Sequence, residues 1–293
     1  MNPEFVSAVC NEIFSQTPQH IERFSVGQGN YVFYVQMSSQ SYVFRCSQQP
    51  YRDTLYYLET LHKLDIPVSK VVAHGQRQGL YYMIAVYLEG KELGDIYPQL
   101  SEHQKLTLAK EVIQIQDRVS RFPMDISCNW TKWVDDMLTR AKTRIQANRY
   151  FDAVLVDQLL SAASELQHYF EQLTPRPYLD DITTKNLLVK DGHISGIIDV
   201  DWMGFGDRLT FIALTHMALL NLQYDTTYTQ YLLDQLPITP EQQRAFQFYT
   251  LMYCVDFMGE RGSTFLGRSV PVNDEIIARL NRIYAQLWAQ YHA

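Results

Sequence analysis

Cysteine is scarce in this chain of 293 residues: there are four, Cys10, Cys46, Cys128 and Cys254, widely scattered and without a C-x-x-C pair. That excludes a disulfide-stapled scaffold, and the thiols read as reduced and mostly buried. The histidines form no H-E-x-x-H or other paired spacing, so no zinc centre is expected. No G-x-S-x-G is present, which removes support for a serine hydrolase. No apolar run reaches the roughly 18 residues that a membrane span needs. The opening MNPEFVSAVCNEIFSQ has two Glu and no basic stretch ahead of an apolar one, so no signal peptide is visible and a cytoplasmic protein is expected. Positive charge is also short. Against 32 Asp and Glu stand 25 Lys and Arg, a net charge of −7 that argues against a nucleic-acid partner.

What is present is apolar and aromatic. Hydrophobic residues make up 46% and aromatic residues 13%, including 20 Tyr, which is ample surface to bury. The length is near the upper end for one core, so two lobes are the better expectation. Apolar spacing predicts a helix over 3–16, then β segments at 24–37 and 41–46 joined by polar Ser-Ser-Gln. A helix at 51–64 carries Leu55, Leu58, Leu61 and Leu64 on one face. Two further strands are expected at 68–75 and 80–88. Beyond Glu89-Gly90 the periodicity becomes helical, at 101–121, 130–147, 152–172, 208–222, 226–236, 240–259 and 273–291, with a β island at 187–199. The expected architecture is α+β: a β-rich lobe over 1–88 and a larger helical lobe over 89–293.

The island sits in YLDDITTKNLLVKDGHISGIIDVDWMGFGD, residues 178–207. Asp191-Gly192 between two apolar runs predicts a tight hairpin, because a primed turn needs positive φ that Asp and Gly tolerate. Asn186 lies just before the first strand and Asp199 just after the second. Closing the hairpin brings an amide oxygen and a carboxylate together, a donor set that suits Mg²⁺ with phosphate oxygens completing its shell. Asp181, five residues ahead of Asn186, would face the same space and could take a hydroxyl proton. Ordinary turn acids beside a surface hairpin are the bland account, yet it does not explain the joint pattern.

D-x4-N, then Asp199 in GIIDVDW thirteen residues on, then Gly206-Asp207, resembles the aminoglycoside phosphotransferase and choline kinase-like superfamily. The resemblance implies a two-lobed protein-kinase-like fold and ATP, or GTP, with Mg²⁺ as cofactors. It implies Asp181 as the catalytic aspartate, Asn186 and Asp199 as metal ligands, and Asp207 as a buttress of the loop. One departure is that Leu179-Asp180 stands where the family usually has His-Gly. Either Asp180 or Asp181 could be the working acid; the spacing to Asn186 favours Asp181, and two adjacent acids should leave one with a raised pKa. Lys185 could touch a phosphate or be a solvated loop lysine. Asp201 could support a second ion, but a turn cap is the favoured reading.

By the same resemblance Gly27 and Gly29 would let the backbone pass over nucleotide phosphates, and Arg45 in YVFRC stands where most kinases have Lys. Its expected acidic partner on the next helix is Glu59, with Asp53 the alternative. In MIAVYLEG the backbone of Tyr87 and Leu88 would meet adenine. Asp225, Tyr253, Asp256, Glu260 and Trp202 are candidates to line an acceptor site, and Asp256 with Glu260, one helical turn apart, could receive a cationic amine. The implied acceptor is a small hydroxylated molecule, such as an aminoglycoside-like antibiotic, an amino alcohol or a sugar. A protein kinase is disfavoured by the lack of DFG and of a long segment ending in Ala-Pro-Glu. The rival is a catalytically weak kinase-fold module that only binds nucleotide.

Overall fold

The computed structural model describes residues 2–24, 31–124, 129–265 and 268–293. Its first lobe is built by strand alternation. Helix α1 (Pro3–Phe14) starts at Asn2, whose side chain accepts from the Phe5 N–H at 3.3 Å. Strands β1 (His20–Arg23), β2 (Tyr31–Gln36) and β3 (Ser41–Ser47), helix α2 (Arg52–Lys63), and strands β4 (Val71–Arg77) and β5 (Leu80–Val86) follow. The strands form one antiparallel sheet in the order β1-β2-β3-β5-β4. Phe33, Val35, Phe44 and Cys46 are buried against Phe5, Val6, Val9 and Cys10 of α1. Side chains alternate along a strand, so Arg45, between Phe44 and Cys46, must leave on the opposite face.

That opposite face is covered by α2, which turns Leu58 and Leu61 inward. With Ile66, Val68 and Met83 they join the core of the helical half. Apolar packing is therefore continuous across the chain position 88/89. A backbone bridge also crosses it: the Ile197 N–H donates to the Pro67 carbonyl at 2.8 Å. Gly27 and Gly29 lie outside the described residues.

The second half opens with β6 (Lys91–Glu92) and the short α3 (Leu93–Ile96). Then come α4 (Glu102–Val119), started by a Ser101–Gln104 capping box, and α5 (Trp130–Asn148). The helix expected over 152–172 breaks at Leu166 into α6 (Val154–Glu165) and α7 (Gln167–Gln172). Strand β7 (Arg176–Leu179), the hairpin β8 (Leu187–Lys190) and β9 (His193–Ile197), and β10 (Met203–Gly206) carry the chain through the island. β7 and β10 pair with each other, and β6 adds to the hairpin; neither pairing was visible in a four- or two-residue run. Helices α8 (Leu209–Leu222), α9 (Thr227–Asp234), α10 (Pro240–Glu260) and α11 (Asp274–Tyr291) complete the lobe, with a short pair β11 (Thr264–Phe265) and β12 (Arg268–Ser269) before the last. α10 buries Phe248, Leu251, Met252 and Val255, apolar residues around most of its circumference, as expected of a central helix. Among the described residues no helix is long and apolar enough to cross a membrane.

Candidate active site

The hairpin turns where the sequence places it. Asp191 has φ 54° and Gly192 φ 83°, the paired positive angles of a type I′ turn, and Lys190 faces His193. At the open end the Ile198 N–H donates to the Asn186 carbonyl at 2.9 Å, so Asn186 and Asp199 leave the last rung together. The Asn186 side chain is buried, and its Nδ2 donates to the Asp181 carbonyl at 2.7 Å. That bond fixes which way the amide points and leaves Oδ1 as its acceptor. Asp199 itself is held at φ 59°, a left-handed conformation that Asp tolerates better than most residues.

Asp181 is the third member. Its Oδ1 accepts from Thr183 Oγ1 at 3.1 Å and its Oδ2 lies 3.3 Å from Lys185 Nζ. Lys185 is thus an ion-pair partner of the expected catalytic acid in this structure. Burial pushes the Asp199 carboxyl up, and Asp201 and Asp181 push it further, while Arg45 and Lys185 pull it down. Asp180, Asp181 and Asp199 line one small depression together with the 77% exposed Trp202. A larger cleft of about 570 Å³ at Glu89–Lys91 and the hairpin tip lies away from these acids.

Asp180 behaves as adjacency predicts. Burial, then the neighbouring Asp181, raise its carboxyl to about 6, and its Oδ1 is buried without a hydrogen-bond partner. The loop is braced instead by Gln116 of α4, whose amide bonds both backbone groups of Leu179 at 2.9 Å. Gln116 was not singled out from the sequence, although a signal exists: it falls in helical phase with the buried Ala109, Val112 and Ile113. Asp207, expected as a buttress, is buried. Its carboxylate takes the Leu209 N–H at 3.0 Å and the hydroxyls of Tyr169 and Tyr249, and Trp130 Nε1 donates to Tyr249 at 2.8 Å. Gly206 is packed so tightly that a Cβ there would sit 1.8 Å from the Trp130 ring.

Arg45 reaches the cleft, but its partner differs from the one expected. Glu59 is exposed and pairs with Lys63 at 2.7 Å, and Asp53 is exposed as well. The inward position of α2 is Thr54. Arg45 instead donates from Nη1 at 3.1 Å and from Nη2 to the two oxygens of Asp201, and Thr54 Oγ1 donates to Asp201 Oδ1 at 2.9 Å. Burial works against the Arg45 cation, and the Asp201 carboxylate more than offsets it. Asp201 is therefore bound across the lobes and does not serve as the turn cap expected for it.

The connection between lobes is tied on both sides. The Tyr87 N–H donates to the Ser41 carbonyl at 3.0 Å, so of its backbone pair only the carbonyl is free of that bond. Leu88 lies against Gly196, where a Cβ would come within 2.9 Å of its side chain. Ser195 Oγ donates to the Glu89 carbonyl at 2.6 Å, and Lys190 pairs with the Glu89 side chain. Of the acceptor-site candidates, Asp256 is answered by Arg144 at 3.1 Å, and Asp225 accepts the Thr227 N–H at 2.9 Å in the turn that leads into α9. Tyr253 is buried, its phenol pushed far up by burial and then by Asp180. Glu260 also has its carboxyl raised, by burial first and Asp256 second. The pair at Asp256 and Glu260 is thus occupied in part by an internal cation.

No curated protein matches the sequence. Solved structures do match the fold. A thermostable mutant of aminoglycoside phosphotransferase APH(4)-Ia, in ternary complex with ADP and hygromycin B, superposes with a TM-score of 0.67 at 15% identity, covering 96% of this chain and 98% of that one. ADP-bound aminoglycoside phosphotransferase APH(2'')-Ib gives 0.68 at 14% identity, with 99% of each chain covered. A protein described as a fructosamine-3-kinase, from Haemophilus somnus, gives 0.61 at 15% identity over 95% and 96%. The fold is thus the two-lobed protein-kinase-like one. The family model of the phosphotransferase enzymes (APH) matches residues 20–237, about three quarters of the chain, so the protein belongs to the phosphotransferase enzyme family and is a small-molecule kinase.

Proposed function

We propose that this enzyme moves the γ-phosphate of Mg-ATP to a hydroxyl of a small, hydroxylated and cationic molecule. The observation that supports the reading is the closed hairpin, with Asn186 Nδ2 bonded to the Asp181 carbonyl and Asp199 near enough to Asp181 for that charge to act on it. Asn186 and Asp199 would hold Mg²⁺. Among the described residues no group of three or more His, Cys, Asp or Glu could hold a metal, and two oxygen ligands fit an ion that keeps phosphate and water in its shell. When bound, it neutralises charge developing on the transferred phosphoryl group. Asp181 would accept or orient the acceptor's hydroxyl proton, and Lys185 would shift from Asp181 toward phosphate.

Arg45 would bind the α- and β-phosphates, its planar fork suiting phosphate oxygens. Gly27 and Gly29 would pass over them. Tyr87 and Leu88 would meet the base. With the Tyr87 N–H committed to Ser41, its carbonyl seeks a donor, which the amino group of adenine supplies and the keto edge of guanine does not. That favours ATP over GTP. Residues 1–88 would carry the nucleotide and 89–293 the acceptor.

Acidity supports a cationic acceptor: Asp180, Asp181 and Asp199 share one depression, and Trp202 offers a ring face beside them. Solved relatives hold hygromycin B or streptomycin, both hydroxylated; an amino alcohol or a sugar remains within the class. The three described cysteines are free and buried, which fits the reducing cytoplasm. ATP consumption with Mg²⁺ against a panel of aminoglycosides, amino alcohols and sugars tests the proposal; binding of Mg-ATP with no turnover on any of them would favour a nucleotide-binding module.

A further inference from the structure

Helix α2 offers no acid to the cleft. Its buried residues are Thr54, Leu58, Thr60 and Leu61, and its acids Asp53 and Glu59 face solvent. The carboxylate that grips Arg45 comes from the other lobe, two residues beyond Asp199, and α2 contributes only the Thr54 hydroxyl. We propose that Asp201 is the positioning residue for Arg45, and that it ties the phosphate-binding cation to the metal-binding loop directly.

Three features of the contact carry this. The pair is bidentate, so it fixes the plane of the guanidinium as well as its place. Asp201 Oδ1 takes a second donor from Thr54, so the carboxylate is itself held by two elements. The Tyr51 ring lies 5.6 Å from the guanidinium carbon, and Asp201 takes only two of the five guanidinium N–H groups, leaving oriented donors for an incoming oxygen. A side chain with every hydrogen bond met elsewhere would have none to offer a phosphate. Arg45 and Asp199 are thereby placed by one short stretch, Asp199 to Asp201, and not by the swing of a helix. The inference rests on the phosphotransfer reading, because only a nucleotide gives Arg45 a phosphate to hold.

The test measures Mg-ATP affinity by calorimetry without acceptor, then KM and kcat with one. Asp201→Asn keeps the shape and removes the charge; it should weaken Mg-ATP about 10-fold and raise the KM for ATP with little change in kcat. Asp201→Glu should recover part of the loss. Arg45→Gln combined with Asp201→Asn should bind no worse than Arg45→Gln alone, the non-additivity expected of residues acting as a unit. Melting curves establish that each variant is folded. Parental affinity in folded Asp201→Asn, additive losses in the double variant, or a loss on Glu59→Gln that matches Asp201→Asn would each overturn the assignment. A parent chain that binds no Mg-ATP at all would instead remove the phosphotransfer reading and this inference with it.

Discussion

Gln116 and Leu179 are joined by two hydrogen bonds of 2.9 Å, side-chain amide to backbone amide, in the buried seam between α4 and the strand that leads into the catalytic loop. The contact is made at Leu179, the first of the two residues that stand where the family usually has His-Gly. Gln116→Leu leaves an N–H and a C=O of Leu179 buried and unpaired. We expect about 2–4 kcal/mol of lost stability, read by urea denaturation, and a lower kcat with nucleotide affinity retained.

Asp181→Ala removes the group assigned to the acceptor's proton. Turnover should fall about 10³-fold, while Mg-ATP affinity measured by calorimetry stays near that of the parent. Turnover within a few-fold of the parent would rule Asp181 out.

Asp199→Asn is the cleaner variant at the metal position, since Asn tolerates the left-handed φ of 59° that Ala does not. Nucleotide binding should weaken at least about 10-fold in Mg²⁺ and lose its dependence on added EDTA, with the fold intact by circular dichroism.

Asp180 supplies a pH signature. Burial, then Asp181, raises its carboxyl from 3.8 to about 6 in the folded chain. The folded state therefore holds this proton more tightly than the unfolded state, so the contribution is favourable in acid and fades as pH rises through about 6. Asp180→Asn should stabilise the protein at pH 7 to 8 by about 2–3 kcal/mol and flatten the fall in stability between about pH 4 and 6. Equal stability of parent and variant across that range would contradict the burial of Asp180.

Gly206→Ala tests the packing under the loop. The new Cβ would enter the Trp130 ring at a φ of 150°, which side chains seldom adopt. A loss of about 3 kcal/mol or more is expected by thermal unfolding, along with loosening of the Trp130–Tyr249–Asp207 chain.

What could be read in advance divides by range. Asp191-Gly192 is a local turn signal, and from it the meeting of Asn186 and Asp199 follows by counting along two strands. Helices with long apolar stripes were placed within a few residues for the same reason. Arg45–Asp201 could not be counted out, because its partners are 156 residues apart and no periodicity links them. The expectation of an acid on α2 follows the habit of a related fold, and Glu59 is preferred for its place well inside the helix, whereas the phase of α2 shows position 54, a Thr, on the inward face. The pairing of β7 with β10 escaped for a related reason: four residues carry too little pattern to distinguish a strand from a loop.

The lobes are joined through backbone at two places, by the chain itself at 88/89 and by the Ile197 N–H on the Pro67 carbonyl. Two such points define a line, so opening and shutting of the molecule should resemble a door on a pair of hinges, with twisting suppressed. Arg45 and Asp201 sit off that line like a bolt, and whatever draws them apart sets how wide the door can swing.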